Sequence, residues 1–149
     1  MLWNVVQGNL INFYGIGQFA SANGRYEDNQ TTDQLNSWTS ENPNTNIPEA
    51  RLYYDNGAQP SSRYIRDGSF VRLRSASLSY NLPLQCIKKA GMTQARIFIT
   101  GLNLLTITKY PYWDPEVNTD ALENNVAQGY DFYTAPVPRT IMGGINIRF

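Results

Sequence analysis

Residues Ser62–Pro83 constrain the fold most, because SRYIRDGSFVRLRSASLSYNLP alternates with the two-residue period of a pleated strand. Val71 and Leu73 are apolar, and Arg72 and Arg74 occupy the other parity. The phase then reverses. Ala76, Leu78 and Tyr80 form the apolar set, and Ser75, Ser77 and Ser79 the polar one. A reversal without a turn requires an extra residue, so a β-bulge is expected near Arg74-Ser75. Asp67-Gly68 breaks the front of the stretch, and Asn81-Leu82-Pro83 stops its back, since proline cannot donate to a ladder. A strand of this length, near 64–81, needs a partner on each edge.

Three other stretches carry the same period. Leu2–Gln7 is a short strand stopped by Gly8-Asn9, with Trp3 and Val5 on one parity. Residues 94–109 form a second long strand, with Ile97, Ile99, Leu105 and Ile107 on one parity. Arg96, Thr100, Thr106 and Thr108 hold the other; Leu102 and Leu104 break the pattern, and Gly101 marks a bend or a close neighbour. Residues 139–149 alternate cleanly, with Ile141, Gly143, Ile145, Ile147 and Phe149 on one parity. The pairing expected is 2–7 and 94–109 on the two edges of the central strand. The last strand has one partner only, so the sheet reads as a piece of something larger.

Between these strands the chain is uneven. Residues 8–62 and 109–138 are long and rich in Asn, Thr, Ser, Gly and aromatics, whereas 82–93 is short. In the first, Thr31-Thr32-Asp33-Gln34 has capping-box spacing ahead of Leu35 and Trp38, which predicts a short helix. In the short link, Pro83, Leu84 and Ile87, then Lys88-Lys89 and Gly91, predict one or two helical turns. Cys86 reads as a small buried residue.

Composition narrows the function classes. The 149 residues carry 12 basic and 12 acidic side chains and no histidine, which leaves no electrostatic case for nucleic acid. One cysteine allows no intrachain disulfide, and zinc and haem lack their ordinary ligands. No nucleophile–base pair or Gly-rich phosphate loop is present, so an enzyme is not expected, nor any cofactor. No apolar run approaches the ~20 residues of a membrane helix, although barrel strands alternate and escape that test. The amino-terminal residues lack the charged and apolar regions of a secretory signal and read instead as mid-strand.

The long–short–long spacing matches outer-membrane barrels, with long extracellular loops and short periplasmic turns. The segments RYIRDGSFVRLRSASLSYNLP, RIFITGLNLLTITKYPYWDPEV and PRTIMGGINIRF resemble the C-terminal end of SusC/RagA-like TonB-dependent outer-membrane transporters. Asp67-Gly68-Ser69-Phe70, Leu78-Ser79-Tyr80, Gly101-Leu102-Asn103-Leu104-Leu105 and Tyr112-Trp113-Asp114-Pro115-Glu116-Val117 carry the likeness in order. Ala135-Pro136-Val137-Pro138 departs from the Tyr-Pro usual before the Arg-Thr pair. The resemblance implies an all-β antiparallel meander of about four strands, the C-terminal part of a barrel of roughly 22. Terminal Phe149 is the barrel-ending signal of that family. Also implied are the bacterial outer membrane, nutrient import without transport by this piece alone, and a glycan or peptide ligand. The implied partners are the rest of the barrel and its plug, the bilayer, a SusD-like surface lipoprotein, and the TonB complex through a more N-terminal part.

Several residues are candidates for a site. Tyr110, Tyr112, Trp113, Tyr130 and Tyr133, with Phe132, could contact a ligand from an extracellular loop or form an aromatic girdle and loop packing. Asp114 and Glu116, with Asp120 or Glu123, are calcium candidates, against a plain turn role. Arg72, Arg74, Arg96 and Arg148 are expected on the lumen face. Asn29-Gln30-Thr31 is a formal glycosylation sequon without an expected use. The alternative to an importer segment is a self-standing carbohydrate-binding or adhesive β-domain, which four open strands with an apolar face make aggregation-prone.

Overall fold

The computed structural model describes residues 1–57, 59–117 and 129–149. The chain divides into two compact units. One comprises Met1–Val6, Phe70–Thr108 and Val137–Phe149, the other Gln7–Ser69 and Lys109–Pro136. In chain order the strands are β1 (Leu2–Val6), β2 (Leu10–Phe13), β3 (Ile65–Asp67), β4 (Phe70–Asn81), β5 (Gln94–Thr108), β6 (Tyr130–Asp131) and β7 (Thr140–Arg148). No helix among the described residues is long and apolar enough to cross a membrane, which says nothing of crossing by strands.

The first unit is an open antiparallel sheet of order β1-β4-β5-β7. Apolar residues meet directly across it: Val5 faces Val71 and Trp3 faces Leu73, which in turn face Ile107 and Leu105. Lower down, Leu78 faces Ile99 and Tyr80 faces Ile97, and Ile97 faces Ile145. Each such pair contributes about 0.2–1 kcal/mol. The opposite parity is polar and bonds across strands. Arg72 Nε donates to Thr106 Oγ1 at 3.0 Å, Ser77 and Thr100 share a hydroxyl bond of 2.8 Å, and Arg96 Nη2 donates to Ser79 Oγ at 2.8 Å. Arg72 is 2% exposed, with its guanidinium over the Phe70 ring.

The bulge is double. Leu2 faces Ser75 and Trp3 faces Leu73, so towards β1 the surplus residue is Arg74, where the phase reversal puts it. Towards β5, however, Leu73 faces Leu105 and Ser75 faces Leu102, so the surplus residue lies on β5. Asn103 absorbs it with φ of +52°, a conformation Asn tolerates better than most residues. This accounts for Leu102 and Leu104 leaving the alternation. Leu104 folds back over Gly101, where a Cβ would come within 2.5 Å of its Cδ2.

The central strand is shorter than the expected 64–81. It breaks at Gly68-Ser69: Asp67 Oδ1 accepts from Ser69 N–H, Ser69 Oγ accepts from Gly8 N–H, and Gly68 N–H donates to Asn9 O. Residues 65–67 belong instead to the second unit. The link contains α1 (Leu84–Ile87) and a 3₁₀ turn, Lys88–Ala90, closed by Gly91 at φ of +72°. Pro83 is its N-cap. Cys86 is exposed, contrary to expectation, because the helix turns Ile87 inward.

The two stretches read as long loops make up the second unit, and it is folded. β2 pairs antiparallel with β3 and parallel with β6. A π-helical turn, Tyr14–Ala20, follows β2. The core is Ile11, Phe13, Tyr110 and Val117, with Ile16 and Tyr112 packed against it. Phe13 stacks on Tyr112 with ring centroids 3.5 Å apart. The expected helix after Thr31 is a 3₁₀ turn, Thr32–Asn36, and its capping box does not form. Thr31 Oγ1 bonds Ser21 Oγ at 2.7 Å and Gln34 Nε2 donates to Ser21 O at 2.9 Å, so both box residues serve a tertiary contact.

Candidate functional site

The second unit holds a cavity of ≈ 160 Å³ whose wall includes Phe13, Asp33, Arg63, Tyr64, Arg66 and Tyr112. A wider recess of ≈ 390 Å³ is lined by Trp38, Arg51 and Asn56 among others. Asn46, Ile47, Pro48 and Arg63 border both, so the two adjoin. The wall is held by backbone groups and the Thr45 hydroxyl. Trp38 N–H donates to Ile47 O at 3.0 Å, Ile47 N–H to Thr45 Oγ1 at 3.2 Å, and Thr45 Oγ1 to Asn36 O at 2.6 Å. Arg66 Nη1 donates to the carbonyls of Arg63 and Ile65. Buried Tyr64 donates its hydroxyl to Gly57 O at 3.1 Å; burial raises its pKa, against the smaller lowering by the neighbouring Arg63 guanidinium.

The aromatic residues singled out from sequence separate into different environments. Tyr110 is a core residue. Its hydroxyl donates to Asp131 Oδ2, and burial first, then that carboxylate, push its pKa far above the ordinary phenol range. Tyr112 lies between the core and the cavity, with its pKa raised chiefly by burial and secondarily by Asp33. Tyr130, Phe132 and Tyr133 gather with Tyr14 and Phe19 in a cluster of tilted and edge-on rings. Tyr133 also reaches Asp28 Oδ2 at 3.5 Å. Trp113 is exposed. Of the five, Tyr112 lines the cavity.

Asp114 is buried, and its Oδ1 accepts from the Glu116 N–H at 2.9 Å, the geometry of a turn that ties a side chain to the backbone two residues on. Asp120 and Glu123 lie outside the described residues. Among the described residues no group of three or more His, Cys, Asp or Glu could hold a metal ion. Phe149 follows β7 and is exposed. Arg96 and Arg148, with Gln94 and Asn146, line a polar recess on the sheet.

Apart from Tyr112, the residues of the cavity wall were not among the sequence candidates. Phe13, Asn46 and the pair Arg63 and Arg66 are far apart in the chain, and no spacing connects them. A signal that could have found two of them is the close spacing of Arg63 and Arg66 ahead of the Asp67-Gly68 break.

No protein-family model matches the chain. It is 38% identical to TonB-dependent receptor P3 of Formosa agariphila over 124 residues, 81% of this chain and 12% of that protein. With TonB-dependent receptor P26 of the same organism it shares 39% identity over 114 residues, 75% of this chain and 12% of that protein. The chain thus spans 12% of the length of these relatives. Its fold is similar to that of the RagAB peptide importer in the open-open state, with TM-score 0.74 and 23% identity, over 99% of this chain and 15% of that one. For the closed-closed state the TM-score is 0.75 at 23% identity, over 97% and 15%.

Proposed function

We propose, from the premise that the chain is a segment of a SusC/RagA-like TonB-dependent receptor, that it is the C-terminal part of an outer-membrane nutrient importer's barrel. The relatives are receptors and the fold neighbours importers, so the chain is part of a transporter and not an enzyme. One observation carries the reading beyond the comparisons. The sheet presents an apolar parity in register on all four strands and leaves it bare, with Leu78 74%, Ile107 59% and Ile141 68% exposed. A water-soluble sheet covers such a face, whereas a barrel wall turns it to lipid. A self-standing carbohydrate-binding or adhesive domain would need that cover.

In this reading β1 and β7, at the sheet's two edges, pair with further barrel strands, since an open edge has no place in lipid. The second unit is extracellular and α1 periplasmic. The plug, the TonB complex and a SusD-like lipoprotein are the partners, and a glycan or a peptide is the cargo. The test is fractionation and uptake. The receptor carrying this chain is expected in the outer membrane, in a form whose gel mobility shifts on boiling, with cargo uptake that stops when TonB is removed. Recovery as a detergent-free soluble protein sinks the proposal.

A further inference from the structure

The second unit has four arginines, and their surroundings differ. Arg51 pairs with Glu49 at 2.6 Å and Arg25 with Asp28 at 3.9 Å. Arg63 and Arg66 both line the ≈ 160 Å³ cavity, and among the described residues neither has an ion pair. Asp33 borders the same cavity without pairing to either, so among the described residues of its wall two guanidinium groups stand against one carboxylate. Arg66 is anchored through Nη1 on two main-chain carbonyls, which positions the group without neutralising it. Beside them, across the shared Asn46–Pro48 wall, Trp38 keeps 43% of its surface exposed.

A planar guanidinium matches a carboxylate with paired N–H bonds, and two of them on a pre-built wall favour one anionic group. A half-exposed indole beside them offers an apolar face to whatever carries that group. We propose that this groove binds the carboxylate of a short oligomeric ligand, with Arg63 and Arg66 at the charged end and Trp38 under the neighbouring unit. The inference rests on the receptor reading, which brings the ligand to this unit from outside. A carboxylate of this kind comes from a peptide terminus or from a uronic acid, and the same site chemistry serves both.

The test uses the intact receptor in detergent and calorimetric titration with four probes. These are N-acetyl-tetra-alanine as the free acid and as the carboxamide, and tri-galacturonate and its methyl ester. In at least one pair the acid is expected to bind about tenfold or more tightly than its neutral twin. That preference should shrink as salt rises, and Arg63→Gln with Arg66→Gln should abolish it while leaving the neutral twin unchanged. The pair showing the preference identifies the source. Equal binding of twins, no binding by any probe, a preference surviving the double variant, or equal loss of both twins each overturns the inference. A wild-type receptor that reaches the outer membrane and imports cargo without acid preference sinks this inference alone. One absent from the membrane sinks the receptor reading.

Discussion

The sheet and the second unit treat apolar residues in opposite ways. In the sheet, Leu78, Ile107 and Ile141 stand exposed on one parity, and the polar residues bond to each other across the other. In the second unit, Ile11, Phe13, Tyr110 and Val117 withdraw from water into a small core. One chain therefore carries two surfaces suited to different surroundings. A folded aqueous unit hides its largest side chains, whereas strands that keep theirs outside need an apolar environment to make that arrangement stable.

The largest expected effect falls in the second unit. Phe13→Ala removes a ring stacked on Tyr112 and edge-on to Tyr110, and also the side chain against which Gly17 fits. A loss of about 3–5 kcal/mol is expected for such a truncation. Hydrogen exchange should show it as lost protection in β2 and β6, with β4 and β5 unchanged. Equal loss in the sheet would break the contrast. Next comes Leu78→Arg, which separates the two environments directly. Refolded into lipid vesicles, the receptor should lose up to about 2–4 kcal/mol at the bilayer midplane, less nearer the interface. In water the same exposed position would change stability by no more than about 0.5 kcal/mol. A near-zero effect in vesicles counts against the barrel.

Tyr110→Phe tests the core's polar contact. It leaves buried Asp131 without the phenol donor, although Asp131 Oδ1 still accepts from Thr134 N–H at 3.3 Å. About 1–3 kcal/mol is expected. The pH dependence has a definite sign. The folded-state pKa of Tyr110 lies above the ordinary 10.0, so its contribution is intact below that pH and is lost as pH rises above it. Melting of the second unit should fall as pH rises above about 10, and less steeply in the variant. Raised values at Tyr64 and Tyr112 leave a residual slope.

The sequence was legible where the physics is local and periodic. Alternation located the four strands of the sheet and the facing of their residues, because a one-residue slip would turn every side chain to the wrong face. It failed in the second unit for a physical reason. Leu10–Phe13 and Tyr130–Asp131 are four and two residues long, too short for a period to register, and their partners lie far away in the chain. Thr31 and Gln34 had the right spacing for a cap, yet Ser21 competed for both side chains. The candidate site was less legible still, since Arg63, Trp38 and Asn46 meet only through tertiary folding. Tyr110 and Tyr112 were candidates either for ligand contact or for loop packing, and aromatic composition alone could not separate the core ring of Tyr110 from the cavity-lining ring of Tyr112.

The smallest effect tests the one place where local sequence and sheet geometry meet most closely. Asn103 sits at φ of +52° in the bulge of β5, and its Nδ2 donates to Pro138 O at 3.3 Å. If the backbone conformation governs the choice of residue, Asn103→Ala should cost about 1–2 kcal/mol, and Asn103→Gly only a few tenths. If the side-chain bond governs it, both variants lose that bond and fall by similar amounts. Equilibrium unfolding of the two variants side by side decides between these. The long 3.3 Å bond, made at an exposed position, favours the backbone, and with it a bulge set by conformation rather than by contact.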